Sequence, residues 1–247
     1  MSDLTLLELY PGHLMMNGDM GNAAVLKRRA ELAGLGLTIV GHDPGDALPD
    51  SVDVVSIGTG PTSAQVVVTE DLVVIAARLR EWAAGGLPII AVNAGFHLLG
   101  RSLTLPDGTV LEGAGLFPVT TLPRAERTVT DAFVVDTTLA GRMIGIENQA
   151  VAVSLHDGTT PLGDVVTGRG NDGRVEGARV LEAFGTHLHG PVLALNPSFA
   201  DHLLRVAAER AGLVYRTTDA HSRIDAVARE ARGILAKAAG IPLDRPE

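Results

Sequence analysis

Runs of apolar residues alternate with amphipathic segments along the first hundred positions. Four apolar runs of strand length predict β-strands, at residues 4–10, 37–41, 52–60 and 87–92. Apolar residues at helical spacing predict a helix over residues 23–34 and a second helix that begins at Thr69 as N-cap and ends near Gly85. Strands that alternate with helices favour right-handed crossovers and a mostly parallel sheet covered on both faces.

Residues 101–185 follow a different pattern. Short β-rich segments separated by turn signals predict hairpins or a meander appended to the sheet. Two helices are predicted near residues 198–211 and 222–239, and residues 240–247 are typical of a loose tail. We therefore expect an α/β protein with a single domain, residues 1–239, followed by a C-terminal tail.

Composition and charge narrow the range of functions. The 247 residues are 46% hydrophobic, which is enough for a sizeable core. The formal net charge of −9 argues against a nucleic acid partner, and no apolar run is long enough to span a bilayer, so we expect a cytoplasmic protein. The chain contains no cysteine, which excludes disulfides, thiolate metal sites and thiol catalysis.

The loops after the third and fourth predicted strands are the first candidates for a site, because ligands of open α/β sheets bind at the carboxyl ends of strands. The third strand leads into a glycine-containing loop, residues 58–65, whose N–H groups can face an anion. The end of the fourth strand belongs to the segment IIAVNAGFHLLG, residues 89–100. Its succession of a strand, a sharp turn and a helix is typical of the elbow that carries a catalytic nucleophile. The turn carries Asn93, whose amide is a poor nucleophile but which tolerates a strained turn with positive φ.

With these segments in order, the chain resembles the class I (triad-type) glutamine amidotransferases, in the cobyric-acid-synthase-like branch that contains the glutaminase subunit of lipid II isoglutaminyl synthase. The resemblance is carried by residues 10–29, 58–65, 93–100, 113–121, 145–148, 168–173, 176–179 and 185–197, the last with the sequence GTHLHGPVLALNP. It implies a flavodoxin-like class I glutamine amidotransferase fold, with a mostly parallel central sheet flanked by helices and an added β-rich segment. In this family a cysteine attacks the carboxamide of glutamine, and the ammonia passes to a partner.

The family pattern assigns roles to particular positions of this chain. The resemblance places the catalytic base at His189, the nucleophile at Asn93 and the oxyanion-hole loop at Gly58–Gly60. It also suggests Arg127 as a clamp for the carboxylate of glutamine. The thiol that the mechanism needs is therefore replaced by a carboxamide.

The departures from the family pattern cluster around the expected pocket. The family's C-G-G-[YF]-Q is here N-A-G-F-H, so Ala94 stands in place of a glycine and His97 in place of a glutamine. The loop G-G-G-Q-D is here GTGPTS, in which Pro61 has no N–H to donate. Such changes are expected when glutamine hydrolysis is lost while the fold is still used. The predicted pocket residues are Gly58, Thr59, Gly60, Ala94, His97 and Arg127.

Three functions remain open on these residues. The first is a non-hydrolysing structural or regulatory partner of a Mur-ligase-like, ATP-dependent amide synthetase, with no cofactor of its own. The second is an enzyme with replaced chemistry, which uses His189 and His97 as acid–base groups or, together with His187, as ligands of a divalent metal ion. His187 and His189 would share one face if they lay on a strand. The third is a module that binds a small amino acid without turnover.

Hydroxyl groups near the same loops are candidate substitute nucleophiles. The candidates are Ser56, Thr59, Thr62, Ser63 and Ser198. A hydroxyl in the loop of residues 58–65 would approach from a different strand and would need His189 to be repositioned. Ser198 follows Asn196 and Pro197 and is predicted to be a helix N-cap.

Overall fold

The computed structural model describes residues 3–156 and 158–242. The strands are β1 (Asp3–Leu9), β2 (Gly36–His42), β3 (Val54–Ile57), β4 (Ile89–Val92), β5 (Ser102–Thr104), β6 (Val110–Glu112), β7 (Val119–Thr137), β8 (Gly141–Leu155), β9 (Gly163–Thr167), β10 (Val175–Glu176), β11 (Ala178–Val180) and β12 (Ala183–Thr186). The helices are α1 (Met20–Leu32), α2 (Thr62–Ala84), α3 (Ala94–Leu98), α4 (Val192–Leu195), α5 (Pro197–Arg210) and α6 (Asp219–Ala238).

The first sheet has the strand order β11-β12-β4-β3-β1-β2. All neighbours pair in parallel except β11, which is antiparallel to β12. This confirms the mostly parallel sheet, and the order 2-1-3-4 within it is that of flavodoxin-like folds. Strands β3 and β4 are buried at every residue, as expected of central strands covered on both faces.

The β-rich segment is more than an appendage of the first sheet, so the prediction of short hairpins was wrong in part. Strands β5, β6, β7, β9 and β10 form a second sheet, and β8 pairs with β7 in a long antiparallel hairpin. The first half of β7 contains the polar sequence TLPRAERTVT, which resembles a loop because much of it is exposed. The final pair, β11 and β12, returns to the first sheet.

Two helices begin at positions that differ from the prediction. Helix α2 begins at Thr62, with Pro61 at the N-cap position, and Thr69 lies inside it, where its hydroxyl donates to the Gln65 carbonyl. The first two turns of α2 were not predicted because the β-branched residues before Thr69 have low helix propensity. Helix α5 has Asn196 at its N-cap position, so that Ser198 is its second residue and not its cap.

Both faces of the first sheet are covered by apolar layers. On β1, Leu7 and Leu9 join the core formed with α2 and α3, whereas Leu4 and Leu6 join the core formed with α1 and α5. The alternation follows from the two-residue period of a strand. Of the predicted tail, Ile241 packs against Ala236 and its neighbours, and residues 243–247 lie outside the described residues.

A buried arginine ties three helices together on one of these faces. Arg29 of α1 donates from Nε and Nη2 to both carboxylate oxygens of Asp201 on α5, at 2.7 and 2.8 Å. Its Nη1 donates to Asp225 of α6 at 2.6 Å. Arg29 is 2% exposed, and these hydrogen bonds to carboxylates raise the pKa of its guanidinium despite burial. No helix in the described ranges has the length and hydropathy needed to cross a membrane.

Candidate functional site

The turn between β4 and α3 has the geometry of a nucleophile elbow. Asn93 has φ 47° and ψ −104°, a conformation that costs a non-glycine residue about 1–3 kcal/mol and is typical of functional sites. Its N–H donates to the Thr186 carbonyl at 2.7 Å, and its carbonyl accepts the His97 N–H at 2.9 Å. A side chain at Gly95 would place its Cβ 2.7 Å from the Ile57 carbonyl oxygen, so the elbow needs glycine there.

The side chain of Asn93 is engaged with the loop after β3. Asn93 Nδ2 donates to Thr59 Oγ1 at 3.0 Å, and the Ala94 N–H donates to the same oxygen at 3.3 Å. The Thr59 N–H donates in turn to Asp19 Oδ2 at 2.9 Å. The N–H groups of Thr59 and Ala94 are therefore satisfied within the protein.

His189 follows β12 and lies at the same edge of the first sheet as the elbow. The residue is 2% exposed, and its Nδ1 lies 3.6 Å from Asp19 Oδ1. Neither ring nitrogen of His189 has a hydrogen-bond partner among the described residues, and the same holds for Asp19 Oδ1. Asp19 was not among the predicted site residues, although an acidic residue in the loop after β1 was a usable signal.

A second buried group of side chains lies beside the elbow. His97 Nε2 and His187 Nε2 are 3.0 Å apart, and His187 Nδ1 lies 2.9 Å from Glu176 Oε2. Glu176 Oε1 accepts the Thr186 hydroxyl at 2.8 Å and the His187 N–H at 2.5 Å. Burial, with smaller contributions from His187 and His189, holds the pKa of His97 well below its usual value, so its ring is neutral. Glu176 was not among the predicted site residues.

The two histidines of the THLH segment do not share a strand face, because β12 ends at Thr186. His187 contacts His97 and Glu176, whereas His189 faces Asp19. Within the described ranges, no three His, Asp or Glu side chains are arranged to hold a metal ion. The alternative of a metal site at His97, His187 and His189 therefore gains no support from the geometry.

A pocket of about 340 Å³ opens at the elbow, between the first sheet and the β7–β8 hairpin. Of the predicted residues, Thr59, Gly60, Asn93, Ala94, His97 and Arg127 line this pocket. The exposed Arg127 donates from Nη1 to Asn148 Oδ1 at 2.8 Å at the same rim. Gly58 and His189 do not line the pocket. A Cβ at Gly58 would lie 2.3 Å from the Leu14 carbonyl oxygen, so this glycine permits a close backbone approach.

The candidate hydroxyl nucleophiles are not paired with a base. In the part of the chain that the structure describes, none of the five makes a hydrogen bond to an imidazole. Thr59 Oγ1 accepts two hydrogen bonds, and Ser63 is exposed on α2. An unpaired hydroxyl has no means of activation at neutral pH.

Comparisons with known proteins agree with this architecture. The model of the CobB/CobQ-like glutamine amidotransferase domain matches residues 15–197. The chain is 30% identical over 233 residues to the lipid II isoglutaminyl synthase (glutamine-hydrolyzing) subunit GatD of Staphylococcus aureus strain N315, covering 93% of this chain and 95% of that protein. It is 30% identical to the same subunit of Streptococcus pneumoniae strain R6, covering 84% of this chain and 81% of that protein.

Solved structures support the same fold. PurLQS from Thermotoga maritima superposes with a TM-score of 0.56 at 16% identity, covering 85% of this chain and 99% of that chain. A structure described as a glutamine amidotransferase superposes with a TM-score of 0.55 at 15% identity, covering 81% and 98%. Taken with the family match over most of the sequence, these findings mean that the chain belongs to the CobB/CobQ-like glutamine amidotransferases.

Proposed function

We propose that this protein is a glutamine-amidotransferase-like subunit that does not hydrolyse glutamine through a covalent intermediate. The observation that carries the proposal is Asn93 at the elbow, held at φ 47° with its amide bonded to Thr59. A carboxamide has a delocalised nitrogen lone pair and no anionic form comparable to a thiolate. In a serine protease, loss of the nucleophile leaves only about 10³–10⁴ of rate enhancement, too little for a biosynthetic ammonia supply.

The proposed role is that of a structural or regulatory partner of a Mur-ligase-like, ATP-dependent amide synthetase. Two relatives are named as subunits of lipid II isoglutaminyl synthase, and this chain matches nearly the full length of the first. A subunit whose fold is kept while its nucleophile is changed is suited to assembly with a second protein.

Glutamate release from glutamine tests the proposal. The purified chain is assayed alone and together with a ligase-like protein encoded beside its gene, with the Staphylococcus aureus subunit as the active control. We expect no release above the rate without protein in either case. Turnover at an ordinary enzymatic rate, or an acyl intermediate trapped on any side chain, would overturn the proposal.

The pocket favours one further function, the binding of a small amino acid without turnover. Arg127 places a guanidinium at the rim of a pocket of about 340 Å³, and guanidinium groups bind carboxylates in bidentate geometry. Ligand that binds only the folded state raises the melting temperature. We expect glutamine or a related amino acid to raise the melting temperature of the native chain but not that of the Arg127→Ala variant.

A further inference from the structure

The lining of the pocket at the elbow carries positive charge in a chain that is negative as a whole. Of the described residues that line it, Arg127 alone is charged, although the chain has 29 acidic and 20 basic residues. Arg127 Nη1 donates to Asn148, and its other N–H groups have no partner among the described residues. The buried carboxylates of Asp19 and Glu176 do not line the pocket. The charge of the lining therefore favours an anionic ligand.

The start of helix α2 adds backbone donors to the same lining. The helix has 23 residues, its N-cap residue Pro61 makes no side-chain cap, and its first turn contains no acidic residue. The N–H groups of Gly60 and Thr62 have no hydrogen-bond partner within the described chain, and both residues line the pocket. Free N–H groups at the positive end of a helix dipole form a site for a carboxylate or a phosphate.

His97 is an independent indication of a ligand in this pocket. The residue is 4% exposed and lines the pocket. Its Nε2 contacts His187, whereas its Nδ1 bonds to no described residue and is not sealed from solvent as the ring nitrogens of His189 are. Each nitrogen of a neutral imidazole is either a donor or an acceptor, so Nδ1 is available to a ligand in both tautomers. A polar atom left unpaired on so buried a residue costs free energy that a ligand recovers.

We propose that this pocket binds a small dicarboxylic amino acid, glutamate, in preference to glutamine. The α-carboxylate contacts Arg127, and the side-chain carboxylate accepts the N–H groups of Gly60 and Thr62 at the start of α2. Glutamate and glutamine have nearly the same shape, so the preference comes from the charge of one group, because hydrogen bonds to a charged acceptor are stronger than those to a neutral one. The inference rests on the proposed function, since a subunit that does not hydrolyse glutamine has no need to recognise a carboxamide.

Isothermal titration calorimetry tests the preference. The native chain is titrated at neutral pH with sodium glutamate and with glutamine, and sodium chloride at the same ionic strength is the control for unspecific anion binding. We expect glutamate to bind about 10-fold more tightly than glutamine, the difference between a charged and a neutral hydrogen bond. Glutamine that binds as tightly as glutamate, a response to chloride equal to that of glutamate, or no saturable binding of glutamate would overturn the inference.

Thr62→Pro is the sharpest variant, because it removes one backbone N–H at a position where proline fits. Thr62 is the first residue of α2, which favours proline, and Pro61 before it is extended with ψ 162°, which a following proline tolerates. The matched control is Thr62→Ala, which keeps the N–H and removes the hydroxyl. We expect Thr62→Pro to lose most of the preference for glutamate and Thr62→Ala to keep it. Equal preferences in the two variants would contradict the assigned contact.

Two further variants keep the inference testable if Thr62→Pro does not fold. Ser63→Asp places a carboxylate of the protein in the first turn of α2, so we expect it to weaken the binding of glutamate more than that of glutamine. Arg127→Ala should weaken both ligands alike, because they share the α-carboxylate, and a loss confined to one of them would contradict the assigned orientation. Glutamate release from glutamine is measured separately, so a missing preference for glutamate and the presence of glutaminase activity are distinct results.

Discussion

At the scale of single residues, Asn93 has a backbone conformation and a side-chain hydrogen bond that affect the stability of the fold separately. The positive φ belongs to the elbow, and asparagine adopts it more readily than most residues. The side chain adds one hydrogen bond, from Nδ2 to Thr59. At this position the backbone strain therefore lowers the stability of the fold, whereas the side-chain hydrogen bond raises it.

Substitution of Asn93 by glycine and by alanine separates these two contributions. Both variants lose the bond to Thr59, but only glycine relieves the strain at φ 47°. We expect Asn93→Gly to be more stable than Asn93→Ala by about 1–2 kcal/mol, the reverse of the usual order. Urea unfolding measures the difference, and an alanine variant as stable as the glycine variant would show that the turn is unstrained.

Restoring the thiol alone should not restore glutaminase activity. In Asn93→Cys the Ala94 N–H still donates to Thr59 Oγ1, and loss of one oxyanion-hole donor costs about 10²–10³ in kcat. We expect Asn93→Cys to remain about 100-fold or more below an active relative in glutamate release. The double variant Asn93→Cys/Thr59→Gly, which frees this N–H, should be faster than the single variant. A fully active single variant contradicts this account.

Site residues could be predicted from the sequence where neighbours in the chain are neighbours in space. Asn93 and His97 are of this kind, because they lie one helical turn apart and the His97 N–H donates to the Asn93 carbonyl. Asp19 and Glu176 were missed because their partners are fixed by the order of strands and by loop geometry, which no local pattern encodes. Whether His187 and His189 share a strand face was left conditional, because the end of a strand is poorly marked in sequence, and β12 ends before both of them.

At the scale of elements, the bounds of helix α6 were predicted within a few residues, whereas the start of helix α2 was predicted too late. The predicted start of α6, residue 222, lies three residues after the observed start, because the capping box of Thr218 and His221 was not recognised in the sequence. The predicted start of helix α2 was too late because Val66 and Val67 are exposed and β-branched. The polar first half of strand β7 was not predicted as a strand because its partner β8, and not its own composition, holds it in the sheet.

The link between α1, α5 and α6 gives a prediction at this scale. Arg29→Met leaves Asp201 partly buried without its cation, and removal of one partner of a buried pair costs about 3–5 kcal/mol. The neighbouring Arg28→Met is the control, because Arg28 and its partner Glu31 are exposed and such a pair contributes less than about 1 kcal/mol. Equal urea midpoints for the two variants would contradict a structural role for Arg29.

At the scale of the whole molecule, the neutral histidine inside the fold couples stability to pH. The pKa of His97 is lowered in the folded protein by burial first and by the nearby imidazoles second, from an ordinary 6.5. Below that ordinary value the unfolded chain binds a proton that the folded protein does not, so stability is lost as the pH falls. Above it, both states are neutral and the contribution is constant.

Comparison of the parent protein with His97→Gln tests this coupling. Between about pH 7.5 and about pH 5.5, we expect the parent to lose about 1 kcal/mol more of its unfolding free energy than the variant, from one site. Urea unfolding at the two pH values gives both differences, and groups common to the two proteins cancel. An equal pH dependence would mean that His97 titrates alike in the folded and unfolded states.

The position of β12 has a consequence for how the chain is made. Strand β4 pairs with β3 on one side and with β12 on the other, and the whole second sheet lies between β4 and β12 in the sequence. During translation, the edge of β4 that pairs with β12 therefore stays unpaired until residue 186 has left the ribosome. A nascent chain halted before that point presents a template for wrong pairing, and chaperones that cover apolar edges should be retained on it longest.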